Sequence, residues 1–185
     1  MAMRDRILEG ALNVFKARGL KFTMDDLAAE LSMSKKTIYT VFDDKNQLLC
    51  DMVNYAFDRI KEEEDLIYNN ESLSLVDKIR GILGVLPDGY ASFDIESLYQ
   101  FKDKYPRAYA VLSVRLESGW EKTRELFEAG QKQGLLRKFD FDIFQVAYES
   151  SIERLIMSDV LEKKNIAYSE AFKELVNILV DGIIA

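Results

Sequence analysis

The sequence predicts an all-α protein in two parts, a three-helix head over residues 1–45 and a larger helical body over residues 46–185. Three observations predict it. Apolar residues recur at i, i+3, i+4 and i+7 through most of the 185 residues. Only two prolines and nine glycines are present, too few to punctuate a strand-and-turn architecture. No alternating apolar and polar run bounded by turn signals marks a strand.

Helix one carries Ile7, Leu8, Ala11, Leu12, Val14 and Phe15 on one face and stops at Gly19. Thr23 precedes Met24-Asp25-Asp26, so its hydroxyl caps helix two while the two aspartates complement the positive helix end. That helix runs to Leu31. Ser32-Met33-Ser34 is long enough only for a turn, and Ser34 caps a third helix from Lys35 to Val41. Asp43-Asp44 opens a long strut through Leu48, Met52, Ala56 and Ile60 to the acidic run Glu62–Asp65, read as a solvated helix end; Asn69–Ser72 closes it.

In the body, a helix from Ser72 to Leu86 is broken by Pro87-Asp88-Gly89, and a shorter one follows from Phe93 to Lys102. Pro106 suits the first turn of a helix expected to run unbroken through Trp120 and Phe127 to Gln133, where Gly134 ends it. Asp140 or Asp142 caps a helix reaching Val160, and Ser169 caps the last.

Composition narrows the chemistry. There is no histidine and one cysteine, Cys50, so neither a disulfide nor a histidine- or cysteine-based metal site is expected. No nucleophile–base constellation or phosphate loop is found, so the chain is not expected to be an enzyme, and no cofactor is expected. No apolar run is long enough to span a membrane, and the amino-terminal segment reads as a helix interrupted by polar residues rather than as a leader. A cytoplasmic location is expected. The net charge of −7 opposes nucleic-acid binding at first sight, but residues 1–50 hold eight basic against seven acidic side chains. The acidity lies in the body, and the contacting surface sets the local field.

Helix two, the short turn and helix three have the layout of a helix-turn-helix, a module whose second helix enters the major groove of DNA. Ile38 and Phe42, four apart, face inward, which leaves Lys35, Lys36, Thr37, Tyr39 and Thr40 on or near the surface. Thr23 and Ser34 are caps first and operator contacts second. Here the chain resembles the TetR family of bacterial regulators. Phe15 and Gly19, Thr23, Leu27-Ala28, then Tyr39, Phe42, Lys45 and Leu48 in a Y-x-x-F-x-x-K-x-x-L arrangement carry the resemblance, which covers about the first 50 residues. It implies that Tyr39 and Lys45 touch phosphates and that Lys36, Thr37 and Thr40 lie near base edges. It further implies a homodimer on a palindromic operator, joined through the last two long helices, with an effector altering the spacing of the heads. The chain departs from many members in having Lys35 or Lys36 where they have glycine, and Val41 where they have histidine or a similar residue.

Repression is the expected outcome of operator binding. Activation, or regulation without an effector, would use the same fold, and a helical protein-binding adaptor is the alternative from a different class. Tyr90, Phe93, Tyr99, Tyr109, Trp120, Phe127, Phe144 and Tyr148 are candidates for lining a pocket for a small apolar or amphipathic effector, although aromatics also build bundle cores. Ile152, Ile156, Phe172, Val176 and Leu179 are the expected dimer contacts, because the apolar faces of the last two helices are too extensive for one chain to cover.

Overall fold

The computed structural model describes residues 2–86, 101–156 and 158–185. Among these the chain is helical, and an isolated antiparallel bridge, Leu136 to Ile184, is the extent of its extended pairing. Helix α1 spans Met3–Arg18, and Gly19, at φ +59°, turns the chain into a single 3-10 turn over Gly19–Lys21. Helix α2, Met24–Leu31, begins with a reciprocal cap. The Thr23 hydroxyl accepts from the Asp26 amide at 3.2 Å, and the Asp26 carboxylate accepts from the Thr23 amide at 2.7 Å.

Helix α3 is shorter than the sequence suggests, Lys35–Tyr39, and its last residues continue as turns ending at Phe42. Ser34 caps it, accepting from the Thr37 amide at 3.1 Å. Helix α4, Lys45–Tyr68, is capped by Asp44, whose carboxylate accepts from the Gln47 amide at 2.7 Å. Its 24 residues make a rod about 36 Å long at 1.5 Å per residue.

The body adds α5 (Leu75–Leu83), α6 (Phe101–Lys104), α7 (Pro106–Leu116), α8 (Glu121–Lys132), α9 (Phe141–Ile156), α10 (Val160–Lys164) and α11 (Tyr168–Asp181). Three expectations are corrected here. The helix foreseen from Pro106 to Gln133 is two helices, because Gly119 takes φ +79° and breaks the ladder between Leu116 and Glu121. Helix α5 starts after Ser74 rather than at Ser72, the Ser74 hydroxyl accepting from the Asp77 amide at 3.1 Å. Ser169 lies inside the last helix, which begins at Tyr168 without a side-chain cap. The expected break at Pro87-Asp88-Gly89, and most of the helix expected to run from Phe93 to Lys102, lie outside the described residues.

Two apolar clusters hold the molecule together. One joins α1, α2 and α3 to Leu48, Leu49, Met52 and Val53 of α4, and takes in Phe101, Ala108 and Leu112 from the body. The close approach of α1 to α2 depends on Gly10, where a Cβ would stand 2.6 Å from the Leu31 side chain. The other cluster packs α5, α8, α9 and α11 around Phe127, Phe144, Phe172 and Val176. Among the described residues no helix is long and apolar enough to cross a membrane.

Candidate nucleic-acid interface and the cavity beside it

Ile38 and Phe42 are fully buried in the head, so α3 is pinned by one face and shows the other to solvent. On that outer side Lys36, Tyr39 and Thr40 are exposed. Lys36 makes no ion pair with a described residue. Lys35 is also exposed, but its ammonium sits 2.9 Å from a carboxylate oxygen of Asp25, and that hydrogen bond raises its pKa. The hydroxyls of Ser34 and Thr37 share a hydrogen bond of 2.8 Å, and the Thr40 hydroxyl donates to the Thr37 carbonyl at 2.6 Å, keeping its lone pairs. Thr23 is exposed and held in its cap.

Lys45 stands apart from this group. Its half-buried ammonium donates to the Leu20 carbonyl at 2.8 Å and to the Phe22 carbonyl, lies 4.1 Å from the Phe22 ring centroid, and faces Tyr105 of the body at 5.3 Å. Burial pushes its pKa down to about 8, opposed by the Asp26 carboxylate. Two of its three N–H groups are committed to the turn between α1 and α2. Lys45→Met should therefore lower head stability by about 1–3 kcal/mol, since two carbonyls lose their donor. Urea unfolding measures this, and an unchanged midpoint would remove the structural role.

Behind the head lies a cavity of about 190 Å³. Its walls come from α1 (Leu12, Phe15), α4, α5, the α7–α8 junction, α9 and α11. Of the eight aromatics expected to line a pocket, Trp120 and Tyr148 do so, their rings meeting edge-on at 5.4 Å. The Trp120 indole donates to the Leu116 carbonyl at 3.2 Å and the Tyr148 hydroxyl to the Leu83 carbonyl at 2.7 Å. Phe127 and Phe144 are buried in the core outside this lining: they pack against each other at 4.8 Å, and Phe127 meets Phe141 at 5.1 Å. Tyr109 also lies outside the lining, its hydroxyl donating to Glu153 at 2.9 Å. Tyr90, Phe93 and Tyr99 lie outside the described residues.

Sequence reasoning missed Lys61, Glu64 and Tyr168, which line the cavity together with Arg115. The acidic run is not wholly solvated: the Glu64 side chain is 15% exposed and paired with Lys61 at 2.7 Å. Burial raises the Glu64 pKa against the pull of that ammonium. Lys61 also donates to the Gly119 carbonyl at 2.9 Å, which ties α4 to the break between α7 and α8. A signal was present, since Phe57, Ile60 and Glu64 fall at helical spacing on the strut.

The five expected dimer contacts differ in burial within the single chain. Ile152, Phe172 and Val176 are buried within this chain's own core, while Ile156 and Leu179 are half-buried against it. Ile152, Ile156 and Phe172 line the cavity. The apolar residues that α9 and α11 leave outward are Ile143, Val146 and Ile178, at 69%, 58% and 61% exposure.

A short capped helix pinned by its apolar side and held by a tight turn against a second helix defines a helix-turn-helix protein with a helical body. Residues 7–52 match the profile of the bacterial regulatory proteins of the tetR family. The chain is 30% identical over 183 residues to an uncharacterized HTH-type transcriptional regulator, YvaF, of Bacillus subtilis (strain 168), covering 99% of this chain and 96% of that one. It is 25% identical over 152 residues to IcaR, the HTH-type negative transcriptional regulator of the biofilm operon icaADBC of Staphylococcus aureus, covering 82% and 73% of the two chains. The chain belongs to the TetR family, and it is a transcriptional regulator rather than an enzyme. Solved structures share the fold at lower identity. A TetR-family regulator from Rhodococcus sp. superposes at TM-score 0.70 with 19% identity, covering 97% of each chain. FadR of Bacillus subtilis in complex with stearoyl-CoA superposes at TM-score 0.64 with 15% identity, covering 97% and 98%.

Proposed function

We propose that this protein is a repressor that binds a palindromic operator as a homodimer and is released by a small amphipathic effector. The observation that carries the reading is the outward row of Lys36, Tyr39 and Thr40 on a helix whose other side shares a core with the wall of a cavity. In this reading residues 1–45 read DNA, and residues 46–185 hold the effector and the second chain. Lys36, Thr37 and Thr40 meet base edges. Lys35, Tyr39 and the remaining N–H of Lys45 meet phosphates, and Thr23 and Ser34 serve mainly to hold the helices. Repression is supported by the name of the staphylococcal relative, a negative regulator.

Dimerisation is assigned to the face bearing Ile143, Val146 and Ile178, since α9 and α11 pack against each other and leave these side chains in water. A two-fold dimer sets its recognition helices about 34 Å apart, matching successive major grooves. An effector that moves α1 or α4 against the body changes that distance.

Selection of bound sequences from random duplex DNA tests the reading directly. A palindromic consensus is expected, with affinity falling steeply as salt rises. Lys36→Ala should lose about 1–3 kcal/mol per half-site and relax the preference at one position in each half, with unfolding unchanged. Equal binding to all duplexes by the unaltered protein would overturn it.

A further inference from the structure

Resting on the reading of the cavity as an effector site, we infer that its occupant is an amphipathic monocation. Its ammonium-type head sits against Glu64 among the rings of Trp120, Tyr148 and Tyr168, and its apolar body lies along Leu83, Ile152 and Phe172.

The charged side chains of the lining are one carboxylate, Glu64, and two cations, Lys61 and Arg115. Lys61 occupies one oxygen of Glu64, Oε2, and the other has no donor among the described residues. The carboxylate charge is shared by both oxygens, so a second cation can face the free one without displacing Lys61. Glu64, Tyr148 and Tyr168 all line this one cavity. Tyr168 is 8% exposed, and its hydroxyl makes no hydrogen bond with a described residue. Burial raises the pKa of both tyrosines, so they stay neutral and offer ring faces and lone pairs.

Ring faces carry negative potential, so a desolvated cation over them is held electrostatically. Trp120 and Tyr148 meet edge to face at 84°, and Tyr168 stacks on Phe172 at 5.9 Å. All four rings line the cavity.

An anionic head fares worse for a specific reason. The cations of the lining are already engaged: Lys61 with Glu64 and the Gly119 carbonyl, Arg115 with Asp58 at 2.7 Å and over the Phe57 ring at 5.6 Å. A carboxylate or sulfate entering here would have to compete with those partners and lie beside Glu64, whose charge is already costly to bury.

Titration of the full-length protein with decyltrimethylammonium, decanoate and 1-decanol, each below its aggregation threshold, reads binding through the fluorescence of the single tryptophan, Trp120. The cation is expected to bind at least about tenfold more tightly than decanoate or decanol. Glu64→Gln should remove that advantage and leave decanol binding within about twofold. Decanoate binding as tightly as the cation, an unchanged cation affinity in Glu64→Gln, or no binding of any probe would overturn the inference. The ranking of the three probes on the unaltered protein decides the matter even if the variant misfolds. Operator binding in the same samples separates the two readings: cation binding without operator release overturns the effector role alone, and absence of specific DNA binding overturns the regulator reading while the probe ranking stands.

Discussion

Glutamate at both Val146 and Ile178 should turn the protein into a single-chain species and lower operator affinity by about 10²-fold or more. Both side chains are more than half exposed on α9 and α11, so the charge disturbs no interior packing in the isolated chain. In a two-fold interface each chain meets its own copy, and four carboxylates would be brought together out of water. Dissociation then costs the affinity gained by linking two half-site contacts, a factor of about 10² to 10⁴ for a well-matched pair. Sedimentation equilibrium and a DNA-binding titration give the two readouts. A variant that remains dimeric would move the interface to another surface.

Phe42→Ala should unfold the head at temperatures where the unaltered protein is intact. The Phe42 ring is fully buried at the end of α3 and is approached by the Arg4 guanidinium at 5.2 Å. Truncating a buried phenylalanine costs about 3–5 kcal/mol, a large part of the 5–15 kcal/mol that typically separates folded from unfolded domains. Specific DNA binding should vanish along with a shift of many degrees in the thermal transition. Lys36→Ala is the matched control, since it should weaken binding without moving that transition. A transition unchanged by Phe42→Ala would mean that the head repacks around the void.

The head was legible in the sequence because its boundaries are written in local chemistry. Thr23 with Asp26, Ser34 and Asp44 each satisfy backbone amides within three residues, and Gly19 supplies a positive φ at the end of α1. The break at Gly119 was less so. The apolar pattern runs on through Leu116 and Trp120, and the carbonyl of the broken turn is held by Lys61, 58 residues earlier in the chain. Amphipathic spacing likewise shows that Ile152, Phe172 and Val176 need cover without showing what covers them, and here α5 and α8 of the same chain do. Glu64 was hidden for a related reason: a run of four acidic residues reads as solvated, whereas its third member turns toward the cavity.

The core that joins α1–α3 to Leu48, Leu49 and Met52 of the strut, and onward to Phe101, Ala108 and Leu112, bears on how such regulators are recombined. A fragment ending at residue 45 would strip from the core of Ile38 and Phe42 the side chains of Leu48, Leu49, Met52 and Val53, so a head grafted at that point onto a foreign body should be insoluble or molten. A workable chimera must carry α4 with the head and match the recipient's side chains at Phe101, Ala108 and Leu112 and at the partly buried residues around them. The head and the body are thus not freely interchangeable parts, and an exchange of one constrains the sequence of the other.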